Sequence, residues 1–314
     1  MKQGILFDLD GTLWDSAQAV VDSWNEIIET LPDFHKLITN EDMCQLMGKT
    51  MDDIAYTYFN TVSKERALEI LQICMDHENA YIEQHGGVLF SGLEEVLKDA
   101  GLTRDDIACT IATGYGRKLF EEAEGEVSEL SCHARGVHFV FPDVHTVIDI
   151  GGQDAKVLSL NEKGRMMNFV MNDKCAAGTG RFLDVMANIL KLDISQLEVE
   201  AAKSENPASI SSTCTVFAES EVISQLAAGT NLPDLVAGIC QSVATRVASL
   251  VRRAGVREKV CMSGGVARNA GVRNAMAKEL GVEIAYNDMA QLMGALGASL
   301  YAYDKIKSGE NTAQ

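Results

Sequence analysis

Two glycine pairs stand directly after apolar runs that predict buried strands. Gly151 and Gly152 follow "VIDI", and Gly264 and Gly265 follow "VCMS". Glycine lets backbone N–H groups approach a phosphate closely, and the helix predicted after the second pair has an N-terminus that favours anions. Two such turns at successive strand ends indicate a nucleotide-binding cleft.

Polar residues adjoin both glycine pairs. Gln153 and Asp154 come directly after the first pair, where they could orient a water molecule or bind Mg²⁺ through water. The second pair continues as "MSGGVARN", which ends at Asn269. We expect the first group to face phosphates and the second to lie nearer the rest of a nucleotide.

Two isolated cysteines, Cys132 and Cys175, belong to a set of eight that contains no C-x-x-C pair. A zinc site within one chain is therefore not expected. Cys175 precedes a glycine-rich run in "MNDKCAAGTGRF" that opens a predicted helix. The positive end of that helix would lower the pKa of the thiol and stabilise an anionic cluster. From the residues alone, ordinary buried thiols are the favoured interpretation.

A pair of carboxylates, Asp8 and Asp10, follows the first predicted strand in "FDLDGTLWDS". Two carboxylates so placed can bind Mg²⁺, and one can attack a phosphoryl group while the other protonates the leaving group. The segment resembles the first motif of the haloacid dehalogenase-like phosphatases. The helices predicted over residues 16–85 resemble that family's helical cap. The later motifs of the family are not found beyond residue 97, so a retained strand-turn without activity is favoured over a working phosphatase.

Composition excludes several classes of protein. The chain has 314 residues, is 46% hydrophobic and carries a formal net charge of −18. Nucleic-acid binding, which needs a basic face, is therefore not expected. We expect no membrane span, because no apolar run is long enough, and a cytoplasmic location, because no secretory signal is recognised.

The pattern of predicted elements changes near residue 100. Helices are predicted over 16–31, 40–47, 50–60 and 63–85. Strands and helices alternate after that point, which predicts an α/β fold. The predictions there are a hairpin over 155–172 and helices over 177–191, 217–228, 232–254, 269–280 and 288–307. We therefore expect two domains, residues 1–97 and 98–314.

Longer strings in the second part resemble a known family. They are "ATGYGR" at 112–117, "SELSCHA" at 128–134, "NDKCAAGTGRFLDVMA" at 172–187, "SSTCTVFAESEVISQLAAG" at 211–229 and "QLMGALGASLYA" at 291–302. Together they are similar to the BadF/BadG/BcrA/BcrD-type ATPases, the ATP-dependent activators of 2-hydroxyacyl-CoA dehydratases. The resemblance covers about residues 95–307.

This resemblance implies an α/β fold of the actin-like, sugar-kinase-like ATPase type and a homodimer that shares one 4Fe–4S cluster. Cys132 and Cys175 of each subunit would be the ligands. ATP hydrolysis would drive an electron, supplied by ferredoxin or flavodoxin, to a 2-hydroxyacyl-CoA dehydratase. By the same resemblance, Gly151, Gly152, Gln153 and Asp154 face the phosphates, and Gly264, Gly265 and Asn269 lie on the adenosine side.

The first part departs from that family. The usual first strands, with a phosphate loop of the type D-x-G-S-T-x-x-K, are absent, and "FDLDGTLWDS" stands in their place. The chain thus resembles a fusion of two incomplete modules. Three hypotheses follow: an iron–sulfur ATPase, a Mg²⁺-dependent phosphatase that uses Asp8 and Asp10, and a non-catalytic binding protein.

Overall fold

The described part of the chain forms two compact units, which divide between Ile107 and Ala108. The computed structural model describes residues 14–15, 17–46, 51–85, 88–89, 101, 103, 106–118, 123–172, 175–211 and 214–308. The predicted domain boundary at residues 97 and 98 lies outside these residues.

The first unit is mainly helical. Its elements are β1 (Trp14–Asp15), α1 (Ala17–Thr30), α2 (Asn40–Leu46), α3 (Met51–Tyr58), α4 (Lys64–His85) and β2 (Val88–Leu89). The two short strands pair antiparallel. The four helices predicted for this region are confirmed to within two residues at each end.

An aromatic cluster fills the core of the first unit. The ring of Phe59 is fully buried and meets Phe34 edge-on with 4.9 Å between ring centroids, and Trp24 stacks at 6.3 Å. The Asn25 side chain accepts from the amide of Ile38 at 2.8 Å and donates to its carbonyl at 2.9 Å. These contacts fix the segment between α1 and α2 against the helices.

The second unit is built from alternating strands and helices. Its elements are β3 (Ile111–Ala112), β4 (Gly125–Glu126), α5 (Glu129–Val140), β5 (Thr146–Ile150), β6 (Ala155–Leu160), β7 (Met166–Asn172), α6 (Gly180–Leu190), α7 (Gln196–Ala201), α8 (Thr215–Ala227), α9 (Leu232–Ala254), β8 (Val260–Ser263), α10 (Ala270–Leu280), β9 (Ile284–Ala285) and α11 (Met293–Ser308). Short 3₁₀ helices cover Tyr115–Lys118, Gly265–Arg268 and Ala290–Leu292.

A five-stranded mixed sheet, in the order β7-β6-β5-β8-β9, forms the centre of this unit. The strands β5, β6 and β7 are antiparallel neighbours, whereas β8 pairs parallel with both β5 and β9. The hairpin predicted over residues 155–172 is confirmed as β6 and β7. The expected α/β fold is therefore present in this part of the chain.

Helices cover both faces of the sheet. Ile148 and Ile150 of β5 belong to a core cluster that also includes side chains of α6, α9 and α10. Val147, which points to the opposite face, packs in a second cluster with α5 and α11. Because both faces are covered, every residue of β5 and β6 is buried, including the polar Asp149 and Lys156.

The long helix α9 follows standard start and stop signals. The Asn231 side chain caps its N-terminus by accepting from the amide of Asp234 at 2.9 Å, and Gly255 ends it with φ of +83°. Among the described helices α9 is long and apolar enough to cross a membrane, but 67% of its apolar stretch is buried within the protein. That burial is typical of a core helix, and the predicted span of 232–254 is confirmed.

The helices α5 and α11 approach each other closely at two glycines. A Cβ added to Gly297 would overlap the backbone carbonyl of Cys132, and one added to Gly136 would overlap the carbonyl of Met293. Backbone atoms have no alternative rotamer, so neither overlap can be relieved by a side-chain movement. The absence of a side chain at both positions therefore sets the distance between the two helices.

We expect Gly297→Ala to lower the free energy of unfolding by about 2–3 kcal/mol, because the added methyl must push α5 and α11 apart. Gly294→Ala on the same helix is the matched control, since a Cβ there meets nothing within 4 Å. Urea denaturation of both variants measures the difference. Equal midpoints for the two variants would show that the helix contact tolerates a methyl group.

Candidate functional site

The first glycine turn, residues 151–154, connects β5 to β6. Ile150 and Ala155 are register partners, and the amide of Gly151 donates to the carbonyl of Asp154 at 2.9 Å. Gly152 and Gln153 are exposed at the tip of the turn. A Cβ on Gly152 would meet nothing within 4 Å, so the space above this residue is open.

The second glycine turn, residues 264–265, lies beside the first. Asp149 and Ser263 are register partners on parallel strands, so both turns leave the sheet at the same edge. Gly264 has φ of +80°, and a Cβ there would overlap the carbonyl of Ile150 and lie 2.6 Å from Asp149 Oδ1. Only glycine permits this contact, which joins the two turns directly.

Asn269 caps the helix that follows the second glycine turn. Its Oδ1 accepts from the amide of Val272 at 3.0 Å and so caps α10. The amide of Gly264 donates to the carbonyl of Ala290 at 3.0 Å, and a Cβ on Gly265 would lie 3.2 Å from Gln291 Nε2. The Ala290–Leu292 turn therefore borders the second glycine turn, and a role for Asn269 toward adenosine stays a prediction.

The Cys175 loop is attached to the first glycine turn through α6. This helix begins at Gly180, and the amides of Gly180 and Arg181 donate to the carbonyls of Gly151 and Gly152 at 2.8 and 2.7 Å. The sequence predicted that the N-terminus of this helix acts on the Cys175 thiol. The structure shows the first two amides of this helix bonded to the turn and the half-buried Cys175 five residues earlier in the chain. An effect of the helix on the thiol stays a prediction.

Cys132 lies in the first turns of α5 and is fully buried. Burial raises the pKa of its thiol, while the Thr113 hydroxyl and the positive charge of Arg117 oppose that rise. Thr113 Oγ1 is buried and faces the Cys132 sulfur. A hydroxyl donor is thus available beside this sulfur.

A network of one lysine and three carboxylates, here called the lysine network, lies below the first turn. Lys156 of β6 is buried, and its Nζ contacts Glu129 Oε1, lies 2.9 Å from Asp154 Oδ2 and lies 3.9 Å from Asp149 Oδ2. Burial alone would lower the pKa of Lys156, but the three carboxylates raise it above its ordinary value. The ammonium group therefore remains charged, and loss of one buried partner typically costs about 3–5 kcal/mol.

A second polar contact joins α5 to the other turn. His133 Nε2 lies 2.7 Å from Ser263 Oγ and 3.6 Å from Asp149 Oδ1, and all three residues are buried. Glu129 and His133 flank Cys132 on α5. The helix that carries Cys132 is thereby bonded to the residues next to both glycine turns.

The lysine network and His133 were not predicted from the sequence. Their interactions join residues far apart in the chain, such as Glu129 with Lys156 and His133 with Ser263. The one available signal was the lysine in the otherwise apolar strand "AKVLSL", because a buried ammonium group requires carboxylate partners.

The described residues contain no group of three or more His, Cys, Asp or Glu side chains that could hold a metal ion. In the lysine network the ammonium of Lys156 already neutralises part of the negative charge. Cys132 and Cys175 are both free thiols. Asp8 and Asp10, the predicted phosphatase carboxylates, lie outside the described residues.

Adjacent glycine turns at the carboxyl ends of two parallel strands, in a sheet with helices on both faces, define an α/β nucleotide-binding protein. Residues 61–302 match the model of the BadF/BadG/BcrA/BcrD ATPase family, and the chain belongs to that family. The resemblance found in the sequence is therefore confirmed.

Relatives of this chain include two dehydratase activators. It is 58% identical over 218 residues to the 2-hydroxyisocaproyl-CoA dehydratase activator of Clostridioides difficile, covering 69% of this chain and 82% of the relative. It is 59% identical over 214 residues to the (R)-2-hydroxyglutaryl-CoA dehydratase activating ATPase of Acidaminococcus fermentans, covering 68% and 82%.

A solved structure of the Clostridium difficile activator with bound ADPNP has a similar fold. The TM-score is 0.67 at 57% identity, and the match covers 71% of this chain and 83% of that one. The fold of the second unit is therefore that of the activator ATPases, as the resemblance implied. The comparisons do not show a phosphatase-like segment, and the family match begins at residue 61, inside the predicted first domain.

We expect Gly264→Ala to lower the free energy of unfolding by about 3 kcal/mol, because it combines a strained φ with overlap of the Ile150 carbonyl. Gly265→Ala is the control, since its Cβ would approach only the flexible end of Gln291 and should cost less than about 1 kcal/mol. Guanidinium denaturation compares the two variants. A smaller loss in Gly264→Ala than in Gly265→Ala would contradict direct contact between the turns.

Proposed function

We propose that this protein is an ATP-hydrolysing activator of a 2-hydroxyacyl-CoA dehydratase, and that it delivers electrons at low potential to that enzyme. The observation that carries this proposal is the joined pair of glycine turns, in a chain 58% identical over 218 residues to a dehydratase activator. The other two hypotheses from the sequence have no comparable support.

The two turns are assigned to the nucleotide. The amide of Gly152 would bind a phosphate oxygen, and Gly151, whose own amide donates to Asp154, would bring the backbone of the turn close to the phosphate. The open space above Gly152 supports this assignment. Gln153 is exposed and free to orient the attacking water, and Asp154 would hold Mg²⁺ through water. Gly264, Gly265 and Asn269 would border the adenosine side.

Cys132 and Cys175 are assigned to a 4Fe–4S cluster between two copies of the chain. The resemblance assigns two of the free thiols of each copy to the cluster, so four thiolates would come from a homodimer. The buried hydroxyl of Thr113 beside Cys132 fits this assignment, since it could donate to a metal-bound sulfur. Such a cluster supplies a one-electron carrier of low potential. Cys132 is fully buried in the single chain, so its sulfur must become accessible for both thiols to bind the cluster.

The partners follow from this assignment. A ferredoxin or flavodoxin in the cytoplasm would reduce the homodimer, which would then pass the electron to the dehydratase. The nucleotide would act on the chain through the two glycine turns. The helix after Cys175 is bonded to the first turn, and the helix that carries Cys132 is linked to it through Lys156 and Asp154. ATP hydrolysis thereby becomes linked to the geometry around the cysteines.

We expect Gly152→Ala to weaken ADPNP binding at least tenfold while leaving the thermal unfolding midpoint within about 2 °C of the unmodified protein. The added methyl meets no protein atom but occupies the space assigned to a phosphate. Calorimetric titration with ADPNP and Mg²⁺ measures the affinity. Unchanged affinity would remove Gly152 from the phosphate site.

We expect about four irons and four sulfides per homodimer after anaerobic reconstitution, and their loss in Cys175→Ser. Cys214→Ser is the control, because Cys214 is also half-buried but is not assigned to the cluster. Iron and sulfide analysis with size-exclusion chromatography gives the ratio. Iron retained in Cys175→Ser, or absent from the unmodified homodimer, would refute the cluster assignment.

A further inference from the structure

The buried ammonium group of Lys156 connects the first glycine turn to the helix that carries Cys132. Its Nζ contacts Glu129 Oε1 on α5 and lies 2.9 Å from Asp154 Oδ2 in the turn. The Lys156 side chain is 6% exposed, so water screens these contacts little. A displacement of Asp154 therefore changes the interaction of the Lys156 ammonium group with Glu129, and the reverse also holds.

A bound nucleotide would change how the carboxylates of the lysine network share the single ammonium group. Three carboxylates, Glu129, Asp149 and Asp154, surround one ammonium group. Asp154 is the partner that belongs to the turn, and a Mg²⁺-bound nucleotide at the turn would attract the same carboxylate. Lys156 would then be left with Glu129 and Asp149 alone.

The first turns of α5 are held at two points, by the ion pair of Glu129 with Lys156 and by a hydrogen bond of His133. A nucleotide that attracts Asp154 would act on the ion pair. His133 holds α5 through a hydrogen bond to Ser263 at 2.7 Å, next to the second glycine turn. Cys132 lies between Glu129 and His133, and its enclosed side chain depends on how α5 sits against its surroundings. A change at Glu129 would shift the first turn of α5 about the His133 contact, and α11 would have to follow because Gly297 packs on the carbonyl of Cys132.

We propose that Lys156 is a positioning residue that transmits nucleotide occupancy of the first glycine turn to the enclosure of Cys132. The proposal rests on the proposed function, since it takes the nucleotide to bind at residues 151–154. It assigns to Lys156 and Glu129 a role that neither the family match nor the relatives' names include. A purely structural ion pair would stabilise the fold equally with and without nucleotide.

The test measures the alkylation rate of Cys132 by iodoacetamide in the full chain, prepared without iron, with and without saturating ADPNP and Mg²⁺. Mass spectrometry of the Cys132 peptide gives the rate. We expect ADPNP to change this rate at least threefold in the unmodified protein. In Lys156→Met the ratio of the rates with and without ADPNP should be about one, although ADPNP still binds. In Lys156→Arg this ratio should be intermediate.

Matched controls separate this role from general destabilisation. Lys163→Met removes an exposed lysine in the turn between β6 and β7 and should keep the ratio of the unmodified protein. If Lys156→Met does not fold, Glu129→Gln, at a side chain that is 30% exposed, gives the same measurement. The double variant Glu129→Gln/Lys156→Met should lose no more of the ratio than either single variant.

The outcomes are distinguishable. If ADPNP does not bind the unmodified protein, the proposed function fails and this inference fails with it. If ADPNP binds but does not change the alkylation rate of Cys132, the inference is overturned while the proposed function stands. The same holds if ADPNP changes this rate as much in Lys156→Met and Glu129→Gln as in the unmodified protein. A ratio lost only when Lys156 or Glu129 is replaced supports it.

Discussion

The parallel pairing of β5 with β8 is the constraint on which the rest of the second unit depends. Its register sets Asp149 opposite Ser263, so both strands end at the same level of the sheet. The backbone of Gly264 then packs directly on the carbonyl of Ile150. A shift of one residue in this register would separate the turns and turn every side chain of β8 to the opposite face.

The N-terminal turns of α6 and α5 are attached to this edge of the sheet by two different kinds of interaction. The first amides of α6 bond to the carbonyls of Gly151 and Gly152, which is a backbone contact and independent of side-chain identity. The first turns of α5 bond through Glu129 and His133, which is a side-chain contact that depends on charge and hydrogen bonding. The backbone contact fixes α6 to the turn, whereas the polar contact can change its partners.

Local pattern predicted much of the fold. The hairpin β6–β7 and the helix α9 were correct because their periodicity and caps lie within short stretches of sequence. The helices α5 and α7 were not among the predicted elements, and α11 begins at Met293 rather than 288 because the Ala290–Leu292 turn precedes it. Those differences arise from packing against neighbours that a local pattern does not contain.

The candidate site was predictable to the same degree. The glycine turns could be recognised because their chemistry lies in consecutive residues after a strand. The lysine network joins α5, β5, β6 and the first turn, so only the folded chain brings its charges together. For the same reason the sequence could not show that the first amides of α6 bond to the carbonyls of the first glycine turn.

The interlocked glycines of α5 and α11 give the chain a mechanical property. Because the two backbones touch at Gly136 and Gly297, neither helix can slide or rotate past the other without overlap. Any movement of α5 at Cys132 would therefore be shared with α11 or resisted by it. The glycines thus make the burial of this thiol a joint property of two helices that lie far apart in the sequence.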